Sequence, residues 1–103
     1  MGDVQRGIMT DKKPTILCVD DEPKNLELLE ALLVPRGYDV IMAVNGSEAL
    51  ATVAVNPPDL ILLDIMMPNL DGYEVCKKIR STKETQLLPV VMITVLRGEE
   101  ERN

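Results

Sequence analysis

The sequence lacks the residue types that several kinds of functional site require. It has no His, Trp or Phe, and its two cysteines, Cys18 and Cys76, lie far apart and form no Cys-x-x-Cys motif. A zinc site of the Cys/His type is therefore excluded, and we expect two small, mostly buried thiols in a reducing compartment. The net charge of -6 at pH 7 argues against a nucleic-acid surface and against docking on an anionic membrane.

Long apolar segments are also lacking. No apolar run reaches the length of a membrane span, and residues 1–13 are polar and charged, without the apolar middle of a signal peptide. We interpret residues 1–13 as a flexible leader and expect a cytoplasmic protein without membrane contact. Residues 14–103 suffice for one domain, and the apolar content of 46% suffices for a core, which must be largely aliphatic.

Short apolar runs alternate with amphipathic segments along residues 14–103. Four runs are predicted to be strands: residues 15–19, 38–43, 59–63 and 89–93. Three helices are predicted to follow the first three strands, beginning at Pro23, near Asn45 and near Asp71. Such alternation with short connections is typical of right-handed βαβ units, so it predicts a parallel sheet with helices on both faces.

Polar residues stand where three of the predicted strands end. Asp20 and Asp21 follow the first strand, Asp64 follows the third, and Thr94 follows the fourth. Sites in open α/β sheets form outside the carboxyl ends of the strands, so three carboxylates and one hydroxyl converge if these strands are neighbours. Such a group of carboxylates needs a cation or a raised pKa at neutral pH, and oxygen ligands without His or thiolate favour Mg²⁺. A carboxylate beside Mg²⁺ can attack a phosphoryl group.

Three motifs resemble those of the receiver domains of two-component response regulators. Val19–Glu22 (VDDE) is similar to the acidic motif that ends the first strand of that family, and Val91–Thr94 is similar to its fourth strand. The segment Leu62–Gly72 is similar to the phosphorylation motif, in which Asp-x-x-Met-Pro is followed by Asp-Gly, and it is the most specific of the three. The resemblance implies a receiver unit over residues 14–103, with a flavodoxin-like, doubly wound parallel sheet in strand order 2-1-3-4.

The resemblance also implies a role for each residue of the predicted site. By position, Asp64 would accept the phosphoryl group, Asp21 would bind Mg²⁺ directly, and Asp20 would bind it mainly through water. The backbone carbonyl of Met66 would complete the protein ligands, and Thr94 would be the switch residue. The implied partner is a sensor histidine kinase or a phosphotransfer protein. We expect a signalling module that phosphorylates and dephosphorylates only itself, rather than an enzyme.

The chain departs from the family pattern at its C-terminal side. A full receiver has five strand–helix units, whereas this sequence holds four predicted strands and, at residues 98–102, the start of a fourth helix. The fifth strand, the Lys that the family places at its end, and the last helices are missing. We therefore expect a receiver unit that is incomplete at its C-terminus, and an exposed edge at strand four that could pair two copies of the chain.

Two other functions stay open on the sequence. The missing Lys favours a docking domain that works without phosphorylation, although the intact acidic residues and Thr94 oppose this interpretation. A metal-dependent phosphatase with Asp64 as nucleophile is the other alternative. Such enzymes commonly place a second Asp two residues after the nucleophile, and that position is Met66 here.

Overall fold

Four short strands pair in parallel to form one sheet. The computed structural model describes residues 12–65 and 72–93, and its strands are β1 (Thr15–Val19), β2 (Asp39–Ala43), β3 (Leu60–Asp64) and β4 (Val90–Ile93). Their order is β2-β1-β3-β4, and every pairing is parallel. The predicted fold class and strand order are confirmed. The end of β3 differs from the prediction by one residue, so that Asp64 itself belongs to the strand.

Three α-helices connect or flank these strands in the described residues: α1 (Pro23–Leu33), α2 (Gly46–Val55) and α3 (Gly72–Arg80). Pro23 occupies the start of α1, where a missing N–H removes no helical hydrogen bond. A 3₁₀ turn (Val34–Arg36) extends the helix, and Gly37 then ends it at φ 96°, in the left-handed region that glycine adopts without steric cost.

The N-terminus of α2 is held by a reciprocal pair of side-chain contacts. Asn45 Oδ1 accepts a hydrogen bond of 2.8 Å from the Glu48 N–H, and Glu48 Oε1 accepts one of 2.9 Å from the Val44 N–H. These contacts satisfy backbone donors that the first turn of a helix leaves without a helical partner. The sequence prediction that a helix begins near Asn45 is therefore confirmed, and these two hydrogen bonds hold the start of α2 beside the end of β2.

Alternate residues along the strands enter two separate cores. On one face, Leu17 and Leu63 are buried with residues of α2 and α3, including Ala49 and Val75. On the other face, the buried residues are Ile16, Cys18 and Leu26, the last from α1. Burial of both faces of β1 and β3 explains their continuous apolar sequences and holds the carboxyl ends of these strands in fixed positions.

One detail of the predicted core is wrong. The apolar spacing in the sequence predicts one helical face that contains Leu26, Leu29, Leu32 and Leu33. Leu26 is buried and both Leu29 and Leu33 pack against the core, but Leu32 is 47% exposed. At 3.6 residues per turn, Leu32 lies about 120° around the helix axis from Leu26, which directs it away from the sheet.

Several predictions concern residues outside those that the structure describes. They are the helix start at residues 98–102, nearly all of the leader at residues 1–13, the Met66 carbonyl and the Thr94 hydroxyl. Within the described residues, no helix is both long enough and apolar enough to cross a bilayer.

Candidate functional site

Three carboxylates meet at the carboxyl ends of β1 and β3, and we call Asp20, Asp21 and Asp64 the acidic cluster. Val19 pairs with Leu63 in the parallel register, so the next residue of each chain segment, Asp20 and Asp64, leaves the same edge of the sheet. One carboxylate oxygen from each of the three residues lies within 4.8 Å of the others. The structure thus brings together the three acidic residues expected from the strand ends.

Asp20 is fully buried, and two donors hold its carboxylate. The Glu22 N–H donates to Oδ1 at 2.9 Å, and Asn25 Nδ2 donates to Oδ2 at 3.1 Å. Burial raises the pKa of Asp20 above its ordinary value of 3.8, the bonds from Glu22 and Asn25 oppose this rise, and the charge of Asp64 adds to it. The folded structure therefore holds a carboxylate in a place where its negative charge is disfavoured unless a cation is near.

Asp64 and Asp21 complete the cluster with different degrees of burial. Asp64 is 1% exposed, whereas Asp21 is partly exposed. One oxygen of each carboxylate, Asp21 Oδ1 and Asp64 Oδ2, is buried. The backbone beside Asp64 continues the sheet, because Ile93 pairs with Asp64 and the Ile65 N–H donates to the Ile93 carbonyl at 3.0 Å. The acceptor predicted from the motif therefore lies at a strand end that is hydrogen-bonded to its neighbour.

The ligand chemistry of the cluster fits Mg²⁺ better than a softer metal. All three side chains offer carboxylate oxygens, which are the hard ligands that Mg²⁺ and Ca²⁺ prefer. The chain has no His, and the buried thiol of Cys18 packs in the core on the α1 face of the sheet. Two carboxylates with retained waters are sufficient for Mg²⁺, which loses its waters reluctantly.

Two residues near the cluster have contacts that the sequence did not predict. Asn25 is a polar residue in the first turn of α1, a position that usually indicates a solvated surface. Gly72 begins α3, and a Cβ built on it would lie 2.9 Å from both the Asp64 carbonyl oxygen and Ile65 Cα. The Asp-Gly pair of the phosphorylation motif was the only sequence signal for Gly72, and no signal identified Asn25.

Comparison with known proteins gives a consistent result. Residues 16–103 match the family of the response regulator receiver domain. The chain is 48% identical over 87 residues to the response regulator PleD of Caulobacter vibrioides, covering 84% of this chain and 19% of that protein. It is 49% identical over 79 residues to the alkaline phosphatase synthesis transcriptional regulatory protein PhoP of Bacillus subtilis, covering 77% of this chain and 32% of that protein. The chain thus spans only a fifth to a third of these relatives' lengths.

Solved structures give the same match at the level of the fold. The N-terminal domain of a response regulator receiver protein from Methanoculleus marisnigri JR1 superposes with a TM-score of 0.77 at 41% identity, covering 86% of this chain and 74% of that chain. The chemotaxis response regulator CheY4 of Vibrio cholerae superposes with a TM-score of 0.78 at 30% identity, covering 88% and 76% respectively. The acidic cluster therefore lies in a fold shared with response regulators.

Proposed function

Because the chain belongs to the family of response regulator receiver domains, we propose that it is the phospho-acceptor module of a two-component system and that Asp64 is the acceptor. In this proposal a sensor histidine kinase or a phosphotransfer protein supplies the phosphoryl group. The observation that carries the proposal is the meeting of Asp20, Asp21 and Asp64, with oxygens within 4.8 Å, at the carboxyl edge of the sheet.

The proposed transfer needs only a nucleophilic carboxylate and an activated phosphoryl donor. An oxygen of Asp64 attacks the phosphorus of a phosphohistidine, an O–P bond forms, and the N–P bond breaks with its electron pair going to the imidazole nitrogen. The product is an acyl phosphate on Asp64. Water later attacks that group, which restores the carboxylate and releases inorganic phosphate. The chain therefore acts on itself and has no separate substrate to turn over.

Asp21 and Asp64 are proposed to hold Mg²⁺ directly, with Asp20 acting mainly through water and the Met66 backbone carbonyl as a further ligand. When bound, the ion neutralises negative charge on the carboxylates and the phosphoryl oxygens. The hydrogen bonds to both oxygens of Asp20 support an indirect role for this residue. The new phosphoryl group adds negative charge and strong acceptor oxygens. We further propose that the Thr94 hydroxyl turns toward this group and that Thr94 thereby acts as the switch residue.

The proposal also covers the kind of partner that the module binds and the compartment in which it works. The net charge of -6 supports partners other than nucleic acid or an anionic membrane. Both cysteines of the described residues, Cys18 and Cys76, are free thiols, which supports a reducing compartment such as the cytoplasm.

The experiment that tests the acceptor is phosphorylation by a small-molecule donor. The chain is incubated with acetyl phosphate and Mg²⁺, and its intact mass is measured. We expect the mass of one phosphoryl group to be added to the wild type and none to Asp64→Asn. The matched control is Asp59→Asn, the same change on an exposed residue just before β3, and it should label like the wild type.

Three results would contradict the proposal in different ways. Equal labelling of Asp64→Asn and wild type would place the acceptor elsewhere. Equal Mg²⁺ affinity of wild type and Asp21→Ala, measured by calorimetry, would refute the metal site. Mg²⁺ binding without any labelling of the wild type would favour a docking domain that works without phosphorylation.

A further inference from the structure

We propose that Asn25 is a positioning residue for the acidic cluster, and that its side-chain amide sets the affinity for Mg²⁺ by fixing the orientation of the Asp20 carboxylate. This inference rests on the proposed function, because it assigns Asn25 a role toward the same site. Neither the acidic motif nor the phosphorylation motif includes Asn25, which lies in the first turn of α1.

The two oxygens of the Asp20 carboxylate have separate donors. The terminal torsion of an aspartate side chain is broad, and the bond from the Glu22 N–H constrains only Oδ1. The second bond, from Asn25 Nδ2 to Oδ2 at 3.1 Å, constrains the other oxygen, and two contacts on different oxygens restrict rotation of the group more than one does. Both donors belong to the N-terminal end of α1, so the carboxylate is held from one side while the cluster occupies the other.

The chemical type of the donor matters as much as its position. Asp20 is fully buried, and a buried carboxylate needs hydrogen bonds to replace those lost from water. A Lys or Arg at this place would supply them, but its positive charge would also neutralise the cluster and compete with a cation. The amide of Asn25 donates a hydrogen bond without adding charge, so it orients Asp20 and preserves the negative charge that attracts a divalent ion.

Removal of the amide should therefore weaken the metal site more than it weakens the fold. Mutation of a residue that hydrogen-bonds to a direct metal ligand typically changes metal affinity by 10–100-fold, and the lower end of that range applies here because Asp20 is proposed to act mainly through water. We expect Asn25→Leu, which has a similar volume and no donor, to lower Mg²⁺ affinity by roughly 10-fold. The variant should still unfold cooperatively, because its side chain is only half-buried at the end of a helix.

The test is a double-mutant cycle on the Mg²⁺ affinity of the full chain, measured by calorimetry with MgCl₂. The four proteins are wild type, Asn25→Leu, Asp20→Ala and the double variant. If Asn25 acts through Asp20, Asn25→Leu lowers the affinity in the wild-type background and has no further effect once Asp20 is alanine. The matched control is Asn56→Leu, the same change on an exposed residue at the C-terminal end of α2, which should bind like the wild type.

The possible outcomes separate this inference from the proposed function. If Asp21→Ala lowers the Mg²⁺ affinity and Asn25→Leu does not, the role of Asn25 is overturned but the proposed metal site is supported. Equal losses from Asn25→Leu in both backgrounds would overturn the coupling to Asp20, since a merely structural effect would be additive. Wild-type affinity equal to that of Asp21→Ala would overturn both. A loss confined to the background that retains Asp20 supports the positioning role.

Discussion

Asp20 and Asp64 stand side by side at the ends of two neighbouring parallel strands, both almost completely buried, with exposed fractions of 0% and 1%. Burial disfavours the charged form of Asp20 and raises its pKa, and the charge of the nearby Asp64 adds to this rise. The residues that suit the proposed chemistry are therefore a source of instability in the metal-free protein.

The first prediction concerns the stability of that metal-free state. We expect Asp20→Asn to raise the free energy of unfolding by about 1 kcal/mol, because it removes one buried charge. The new amide oxygen can accept from the Glu22 N–H, and Asn25 can turn its own amide to accept from the new NH₂ group. Urea unfolding in the presence of EDTA measures the change, with Asp39→Asn on the exposed side of β2 as the control. A less stable Asp20→Asn would contradict the prediction.

The second prediction concerns how the difference in free energy of unfolding between Asp20→Asn and the wild type changes with pH. Because burial, with a smaller contribution from Asp64, raises the pKa of Asp20 above 3.8, the folded metal-free protein binds this proton more tightly than the unfolded chain. The contribution of Asp20 to stability therefore improves as the pH falls through the raised pKa. The advantage of Asp20→Asn over wild type should shrink from neutral to mildly acidic pH in urea unfolding. An advantage that grows over this range would show that the shift has the opposite sign.

The third prediction distinguishes the two thiols. Cys18 is fully buried, and burial, with a smaller contribution from Glu30, raises its pKa from 9.0 to about 11. Its thiolate fraction is then about a hundredfold lower than that of an ordinary thiol, whereas Cys76 is partly accessible. A thiol reagent should modify one cysteine quickly and the second only in denaturant. Cys76→Ser should remove the fast reaction, and Cys18→Ser should retain it; the reverse pattern would refute the assignment.

Much of the site followed from where the acidic residues stand in the sequence. Asp20, Asp21 and Asp64 directly follow or end apolar strands, and parallel strands direct their carboxyl ends to one edge, so their convergence could be predicted. The hydrogen bond from Asn25 could not, because it depends on the rotation of α1 over the sheet. The same rotation exposes Leu32, which the apolar pattern had placed in the core.

The close approach of Gly72 to β3 was also beyond prediction from the sequence. A glycine at the start of a helix is compatible with a cap, a turn or a tight contact, and only the structure shows the 2.9 Å distance from a Cβ built on Gly72 to the Asp64 carbonyl oxygen. This contact depends on how α3 packs on the sheet, which involves residues far apart in the sequence.

The fourth prediction follows from that contact. In Gly72→Ala the new methyl group must displace the backbone of Asp64 and Ile65, so we expect weaker Mg²⁺ binding and slower labelling by acetyl phosphate. The control is Gly37→Ala, which adds strain at φ 96° in a region where nothing lies within 4 Å of the new methyl group. It should destabilise the fold by about 1 kcal/mol without changing Mg²⁺ affinity. Similar losses of affinity in both variants would mean that Gly72 acts through stability alone.

The fifth prediction concerns self-association through β4. Among the strands in residues 12–65 and 72–93, the outer strands β2 and β4 each pair on one side only. On β4, which pairs with β3, Val91 is 45% exposed. An apolar strand without a second neighbour offers its backbone donors and acceptors to another chain. We expect the 103-residue chain to form a dimer or higher oligomer at micromolar concentration, as measured by light scattering.

The energetic basis of this expectation is the apolar surface that association would bury, to which the exposed Val91 side chain would contribute. For each ~400 Å² of apolar surface that association covers, the gain at ~25 cal/mol per Å² is ~10 kcal/mol before the entropy of association is subtracted, which is comparable with the net stability of a domain. A charge on the edge should oppose pairing, so Val91→Lys should shift the chain toward monomer. Val55→Lys, at an 85% exposed position that ends α2, introduces the same charge away from β4 and should leave association unchanged. A stable wild-type monomer, or equal effects of the two lysines, would show that β4 is not the interface.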